Sequence, residues 1–187
     1  MEGKMDLRIQ KTYLALHNTF TQLLEEKRFE DLTVNELCER AMIRRTTFYK
    51  HFADKYEYFY FYLKEIVMTI RDNLTPDVME GNVREYLNHM CRELVRFVKE
   101  HDRLVQNIKM SSMFPVLLGI VLDLTTWDVA QVLRRTGEYG SDKAYLEGTA
   151  NFIAGGLTNT LFQMLKQDSG IDEECFIGII TSFLENR

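Results

Sequence analysis

Hydrogen-bond donors of the kind that bind nucleic acids are concentrated in one short segment of the chain. An arginine side chain can reach a guanine edge, a threonine can contact a phosphate or a thymine methyl group, and tyrosine and lysine donate to phosphates. Between residues 44 and 55 the sequence contains Arg44, Arg45, Thr46, Thr47, Tyr49, Lys50, His51 and Lys55. The chemistry that this segment predicts is non-covalent recognition of duplex DNA.

The distribution of charge favours the same interpretation. The 187 residues carry a formal net charge of −5, which by itself disfavours a nucleic-acid partner. Residues 1–55, however, contain ten Lys and Arg against nine Asp and Glu, and the stretch 40–55 contains five basic residues against one acid, Asp54. An acidic body with one compact basic segment is a directional charge pattern that the overall charge conceals.

The elements that must position these donors are helices. Apolar residues recur at helical spacing almost throughout. The first stripe predicts a helix over 6–26 and consists of Ile9, Tyr13, Leu16, Phe20 and Leu23. Thr33 and Glu36 form a capping-box pattern that opens a short second helix. A third short helix begins near Arg45 and turns Phe48 and Phe52 inward. We therefore predict a three-helix bundle within residues 1–53.

The rest of the chain is also predicted to be helical. A long helix begins near Asp54 and stops before Pro76, where the proline ring forbids continuation. Further helices are expected over 83–99, 104–110, 115–135, 142–166 and 172–185, with a loop at 137–140 and a helix stop at 168–170. The fold class is all-α with about nine helices, and residues 54–187 form a second domain.

Two short helices joined by a tight turn, the second bearing polar and basic residues, describe a helix-turn-helix, whose second helix lies in the major groove. The run Thr-Phe-Tyr-Lys-His-Phe-Ala-Asp-Lys at 47–55 resembles the signature of TetR-type (TetR/AcrR) transcriptional regulators, and the resemblance covers residues 8–63. It implies that Thr33 caps its helix at the DNA backbone and that Asn35 touches phosphate. It further implies base-edge contacts for Arg45, Thr46 and Thr47 and backbone contacts for Tyr49, His51 and Lys55.

Two positions depart from the family pattern. Met42 stands in the turn where glycine is common, and methionine does not relax a positive φ as glycine does, so we expect a slightly remodelled turn. Arg44 stands where a small capping residue is common, and it adds a charge that can reach phosphate.

The resemblance also implies functions for the C-terminal domain. The family binds a small effector between its long helices, and the residues that could line such a cavity are Tyr58, Phe61, Tyr62, Tyr86, Met90, Met110, Phe114 and Trp127. The last two helices of the family form a dimer, for which we expect an interface of Gly148, Phe152, Gly155, Gly156, Thr160, Phe176, Ile180 and Phe183. The expected activity is that of a cytoplasmic homodimer, a repressor released from a palindromic DNA operator by a small molecule.

Alternatives remain open for the signal that the second domain receives. Its Gly-Gly helix and tail resemble the branch regulating dihydroxyacetone kinase genes, which implies a protein co-regulator in place of a small molecule. An enzyme is disfavoured because no nucleophile or phosphate loop accompanies the candidate acid and base groups.

No cofactor or metal site is expected, and three widely spaced cysteines do not indicate a disulfide framework. The longest apolar stretch, around 116–121, is shorter than the roughly 20 residues of a membrane span, so no membrane partner is expected.

Overall fold

The described part of the chain is built from α-helices. The computed structural model describes residues 7–73, 81–137, 142–166 and 170–185, and these contain nine α-helices, one 3-10 turn and no strand. The helices are α1 (Leu7–Glu26), α2 (Val34–Arg40), α3 (Arg45–Phe48), α4 (Lys55–Asp72), α5 (Val83–Glu100), α6 (Asp102–Lys109), α7 (Phe114–Thr136), α8 (Lys143–Met164) and α9 (Glu173–Glu185), with the 3-10 turn at Phe29–Asp31. The predicted all-α class is confirmed. The helix stop expected before Pro76, most of the 137–140 loop and most of the 168–170 stop lie outside the described residues.

The chain divides into two compact units. The first consists of residues up to Lys64 together with His101–Val116, and the second consists of Glu65–Glu100 and the residues from Leu117 onward. The segment 101–116 belongs to the first unit because it bonds to the end of α1 and to the turn that follows. The Asn107 amide donates to the Leu24 carbonyl at 2.6 Å, and the Ser112 backbone N–H donates to the Glu30 carboxylate at 2.8 Å. The boundaries of these compact units differ from those of the predicted domains 1–53 and 54–187. The division of function between those two domains stays a prediction.

Aromatic rings fill the core of the first unit. Phe20 of α1, which is buried, contacts four other rings at centroid distances of 4.9–6.5 Å, those of Phe29, Tyr58, Phe59 and Tyr62. The predicted α1 stripe supplies this core, because Leu16 and Leu23 are buried beside Phe20. Edge-to-face ring packing of this kind adds to the free energy gained by burying apolar area. Helix α1 and the 3-10 turn are thereby fixed against the first part of α4.

The second unit contains a buried ion pair. The Arg71 guanidinium of α4 donates two hydrogen bonds from Nε and one from Nη2 to the carboxylate of Asp128 in α7, at 2.7–3.0 Å. The Tyr86 hydroxyl of α5 donates to the same carboxylate at 3.0 Å. Asp128 is fully buried, so these partners satisfy a charge that would otherwise be costly to remove from water. Burial and the adjacent carboxylate raise the pKa of Tyr86, which keeps this hydroxyl a proton donor.

Helix α7 is long and apolar enough to cross a membrane by length and composition alone, with a mean hydropathy of 1.6 over its most apolar window. The sequence-based expectation concerned the shorter apolar stretch at 116–121, which lies within this helix. The same test is passed by core helices of soluble proteins, and 44% of the window is buried in this fold. The Asp128 carboxylate of α7 is hydrogen-bonded to side chains of α4 and α5, as expected for a helix that packs among other helices.

Candidate nucleic-acid interface

Helices α2 and α3 and the turn between them form the predicted helix-turn-helix. The Thr33 hydroxyl accepts the Glu36 backbone N–H at 3.2 Å, so the predicted N-cap of α2 is present. The turn is closed by a hydrogen bond of 2.9 Å from the Ile43 N–H to the Cys38 carbonyl. Cys38 and Phe48 are buried between the helices. The short recognition helix α3 is thus held by tertiary packing, as a four-residue helix must be.

The turn keeps a left-handed residue although that residue is methionine. Met42 has a φ of +54° and its side chain is 93% exposed. Met42 therefore adopts the positive φ that glycine tolerates better, and the backbone strain is retained by Met42 itself. Nothing in the first unit covers the methionine side chain, so packing does not compensate for that strain.

The outer surface of α3 presents polar and cationic side chains. Arg44 precedes the helix as its N-cap residue and makes no side-chain capping bond, which leaves its guanidinium to other partners. The Arg45 guanidinium lies 5.9 Å from the centre of the Tyr49 ring, a cation–π contact that orients both side chains. The exposed members of the predicted set are Thr33, Asn35, Arg44, Arg45, Thr46, Tyr49 and Lys50, and Thr47, His51 and Lys55 are half-buried.

Ion pairs that join α2 to Glu26 and Lys27 change two of the sequence-based interpretations. The Glu36 carboxylate accepts from Lys27 at 2.6 and 2.7 Å and so does not complete the predicted capping box. Arg40 pairs with Glu26 at 2.7 Å and lies 3.7 Å from Glu36, so its charge is neutralised within the first unit. Of the basic residues in 40–55, Arg44, Arg45 and Lys50 are the cations directed outward without an acidic partner among the described residues.

Asn35 also has an internal partner. Its amide donates to the Glu39 carboxylate, one turn further along α2, at 2.9 Å. Both side chains are exposed, so this bond competes with water and a DNA phosphate could replace it. The predicted phosphate contact of Asn35 stays a prediction.

Lys55 does not have the environment of a phosphate-binding lysine. Its ammonium donates to three backbone carbonyls, those of Phe29 at 3.2 Å and of Glu30 and Leu32 at 2.9 Å each. An ammonium has three N–H donors, and these three carbonyls use all of them. The Phe29 ring lies 4.7 Å from the same nitrogen. The structure therefore corrects the expected DNA-backbone contact, because Lys55 fastens the start of α4 to the 3-10 turn before α2.

The start of α4 is capped by Asp54, near which the helix is predicted to begin, and by Glu57, which the sequence interpretation does not single out. The Asp54 carboxylate accepts the backbone N–H groups of Tyr56 and Glu57 at 2.8 and 2.9 Å, and the Glu57 carboxylate accepts the Ala53 N–H at 2.5 Å. Asp54 followed three residues later by Glu57 is a capping-box spacing and was a signal available in the sequence. The cap fixes the end of the recognition segment, residues 45–53, and the start of α4.

His51 lies at the end of the recognition segment and touches α1. Its Nδ1 atom is 3.4 Å from the Tyr13 hydroxyl oxygen, and the two ring centres are 5.4 Å apart. The sequence interpretation had placed Tyr13 only in the apolar stripe of α1. Its hydroxyl contact joins residues 38 positions apart, which local periodicity does not reveal.

Comparison with known proteins gives a family match for the helix-turn-helix segment. A family model described as bacterial regulatory proteins, tetR family, matches residues 21–59. That match covers the whole of the helix-turn-helix and the start of α4 described above. Residues 21–59, which include the helix-turn-helix, therefore resemble the corresponding segment of tetR-family regulatory proteins.

Other relatives extend this comparison. The uncharacterized HTH-type transcriptional regulator YxbF of Bacillus subtilis (strain 168) is 33% identical over 75 residues, which are 40% of this chain and 20% of that protein. The match thus spans about a fifth of the curated relative's length. Among solved structures, the dihydroxyacetone kinase operon activator DhaS is similar with a TM-score of 0.66 at 16% identity, over 94% of each chain. The TetR family repressor AlkX from Dietzia sp. strain DQ12-45-1b is similar with a TM-score of 0.52 at 15% identity, over 93% of this chain and 95% of that one.

The residues expected to line an effector cavity belong to both compact units. Tyr58 and Tyr62 are buried in the aromatic core of the first unit, Phe61 packs on Tyr13 there, and Met110 and Phe114 also belong to that unit. The others lie in the second unit: Tyr86 and Met90 are buried there, with the Tyr86 hydroxyl bound to Asp128, and Trp127 is 53% exposed under the Arg71 guanidinium. Most of these side chains are core residues within their own unit, whereas Met110 is 58% exposed, and their assignment to an effector cavity stays a prediction.

The expected dimer residues have two kinds of environment. Phe176 is fully buried within the second unit, so it is a core residue and the expectation for it is wrong. The Phe183 side chain lies outside the described part. The remaining residues lie at or near the surface of α8 and α9, and Phe152 is 65% exposed. A groove of about 140 Å³ runs between these helices and α5, lined by Leu87, Phe152, Ile153, Gly156, Leu157, Thr160, Ile179 and Ile180.

Proposed function

We propose that this chain is a TetR-family transcriptional regulator, a homodimer that binds a palindromic DNA operator through α3. The observation that carries the proposal is the outward set of donors on α3, in which Arg45, Thr46 and Lys50 are exposed while Phe48 anchors the helix in the core. Two such helices presented about one DNA turn apart would enter successive major grooves on one side of the duplex.

The donors divide by the contacts they suit. Arg45 and Thr46 lie at the N-terminal end of α3, the end that meets base edges in a helix-turn-helix, so we assign them sequence recognition. Arg44 and Lys50 flank that end as exposed cations and suit phosphate oxygens, which position the protein without reading sequence. The acidic remainder of the chain repels DNA and so favours an encounter through this surface.

Selection of bound duplexes from a random pool tests the proposal directly. The full-length chain at low ionic strength is expected to enrich an inverted repeat whose half-sites are separated by about one helical turn. Enrichment of a non-repeated site would contradict the dimeric arrangement. Failure to retain any double-stranded DNA would contradict the proposed function as a whole.

We assign the dimer contact to the exposed surface of α8 and α9. Phe152 and Ile179 are 65% and 42% exposed, and both line the apolar groove described above. At Gly148, Gly155 and Gly156 an added Cβ would meet no atom within 4 Å, so packing inside the chain does not require these glycines. Their absence of side chains instead leaves room for a second backbone to approach α8.

Two substitutions test this surface. Phe152→Asp would place a charge in the apolar contact, and Gly156→Leu would block the close approach, so each is expected to shift the chain toward monomer in analytical ultracentrifugation. Leu14→Asp is the matched control, because Leu14 is 61% exposed on α1 and belongs to the first unit, whereas α8 and α9 belong to the second. Unchanged dimerisation in both α8 variants would rule out this surface.

We propose repression relieved by a small effector as the regulatory output. A ligand shifts the equilibrium between two conformations only by its differential affinity for them. Helices α4 and α7 each contribute residues to both compact units, so they are candidates to carry such a change. A reporter gene placed behind the selected operator is expected to be expressed more strongly when the chain is deleted.

Activation by way of a protein co-regulator is the second candidate. Its support is the similarity in fold to DhaS, which is described as an operon activator. The two candidates differ in the sign of the reporter response. They also differ in what stabilises the purified chain, a metabolite in a thermal-shift screen or a protein partner. Either activity is one of DNA binding without catalysis, and we place it in the cytoplasm, where an operator is accessible.

A further inference from the structure

The contact between His51 and Tyr13 joins the recognition segment to α1. Tyr13 is held by ring contacts with Phe52 and Phe61, at centroid distances of 5.8 and 5.4 Å, so its hydroxyl has little freedom to move away. The His51 ring is half-buried and turns Nδ1 toward that hydroxyl at 3.4 Å. In the part of the chain that the structure describes, the other ring nitrogen, Nε2, has no hydrogen-bond partner.

The chemistry of imidazole makes this contact consequential. A neutral histidine carries one proton, so one ring nitrogen donates a hydrogen bond and the other accepts one. Which nitrogen carries the proton is set by the bond that the other one makes. A phenolic hydroxyl that donates to Nδ1 therefore places the proton on Nε2 and turns that nitrogen into a donor.

We infer that Tyr13 is a positioning residue for DNA binding: its hydroxyl donates to His51 Nδ1, which holds Nε2 protonated to donate to a phosphate oxygen of the operator. The inference rests on the proposed function and deepens it, because it adds a residue of α1 that touches no DNA. A bond from Nε2–H to phosphate positions the protein without reading sequence. Tyr13 would thus affect affinity for all operators alike.

A double-mutant cycle on the selected operator tests the inference. Tyr13→Phe keeps the ring contacts and removes only the hydroxyl, and it is expected to weaken operator affinity about two- to tenfold, the range of one hydrogen bond. His51→Gln places an amide nitrogen near the position of Nε2, and that nitrogen always carries protons. In the His51→Gln background, Tyr13→Phe is expected to cause no further loss of affinity.

Nitrogen NMR of ¹⁵N-histidine-labelled, full-length protein supplies a readout that a merely structural role would not move. The His51 signals are expected to show an unprotonated Nδ1 in the wild type and a mixture of tautomers in Tyr13→Phe. A protonated Nδ1 in the wild type, or an equal loss of affinity in both backgrounds, would overturn the inference. If the wild type binds no duplex DNA, the proposed function fails as well, whereas wild-type binding that is indifferent to Tyr13→Phe overturns this inference alone.

Discussion

Arg71 and Asp128 form a bidentate ion pair in which the carboxylate is fully buried and the guanidinium is partly exposed. The pair joins α4 to α7 inside the second unit, and Tyr86 of α5 completes the carboxylate's hydrogen bonds. The centre of the Trp127 ring lies 5.4 Å from the guanidinium carbon, a cation–π contact. Three helices of this unit therefore depend on one buried charge.

Removal of one partner of this pair is expected to be more damaging than removal of both. Arg71→Met leaves the Asp128 carboxylate buried without its counter-ion, and the expected loss is about 3–5 kcal/mol in the free energy of unfolding. The double variant Arg71→Met with Asp128→Leu removes both charges and should recover a large part of that loss. Urea denaturation followed by circular dichroism measures all of these values. A double variant less stable than Arg71→Met would show that the charge itself is not the cause.

Lys55 is expected to affect folding more than DNA binding. Lys55→Met keeps the length of the side chain but leaves three carbonyls without their donor, which should lower the free energy of unfolding by about 2–3 kcal/mol. The dependence of operator affinity on salt should keep its wild-type slope under conditions in which the variant is folded. A stable Lys55→Met variant with a reduced salt slope would restore the phosphate contact implied by the family resemblance.

Arg45 and Lys50 should differ in how their loss affects operator binding. Arg45→Ala is expected to cost about 1–3 kcal/mol on the selected operator and to relax the preference for one base pair. Lys50→Ala should weaken binding to all sequences and lower the salt slope by about one. Fluorescence anisotropy with the operator, a point-mutated operator and a random duplex separates the two effects. Equal losses on all three duplexes for Arg45→Ala would remove it from base recognition.

The turn between α2 and α3 can be relieved of its strain. Met42→Gly places the residue that tolerates a positive φ at the position where φ is +54°, and we expect a net stabilisation of up to about 1 kcal/mol. Met42→Ala is the control, because it also deletes the exposed side chain but retains the strained conformation. Thermal unfolding of the three proteins should rank glycine above methionine and alanine. A glycine variant no more stable than the alanine variant would show that the strain is negligible.

Glu30 makes the first unit sensitive to acid. Partial burial alone would raise the pKa of its carboxyl, but the Ser112 amide, its own backbone N–H, the Ser112 hydroxyl and the Arg28 cation outweigh burial and hold the pKa below its ordinary value of 4.5. The unfolded chain therefore binds this proton more readily than the folded chain, so the stabilisation is present above pH 4.5 and is lost as the pH falls through the folded value. Glu30→Gln should flatten the fall in urea midpoint between pH 6 and pH 3. A variant with the wild-type pH profile would exclude Glu30 as the source.

The sequence by itself determined the helices and the recognition motif of this protein. Apolar spacing places α1 and α5, the Thr33 cap places the start of α2, and the run from Thr47 to Lys55 places the helix-turn-helix, because each of these signals depends on residues within a few positions of one another. Exposure of Arg45 and Lys50 follows from the same periodicity, since Phe48 takes the inward face of α3.

Tertiary structure alone decided the partners of the polar groups. Lys55 bonds to carbonyls 23 to 26 residues away, Tyr13 meets His51 across 38 residues, and Arg71 meets Asp128 across 57. The sequence around a lysine does not distinguish one that binds phosphate from one that binds backbone carbonyls. Hydrogen-bond partners are fixed by the packing of helices that are distant in sequence. The burial of Tyr58, Tyr62 and Tyr86 likewise depends on packing between helices that are distant in sequence.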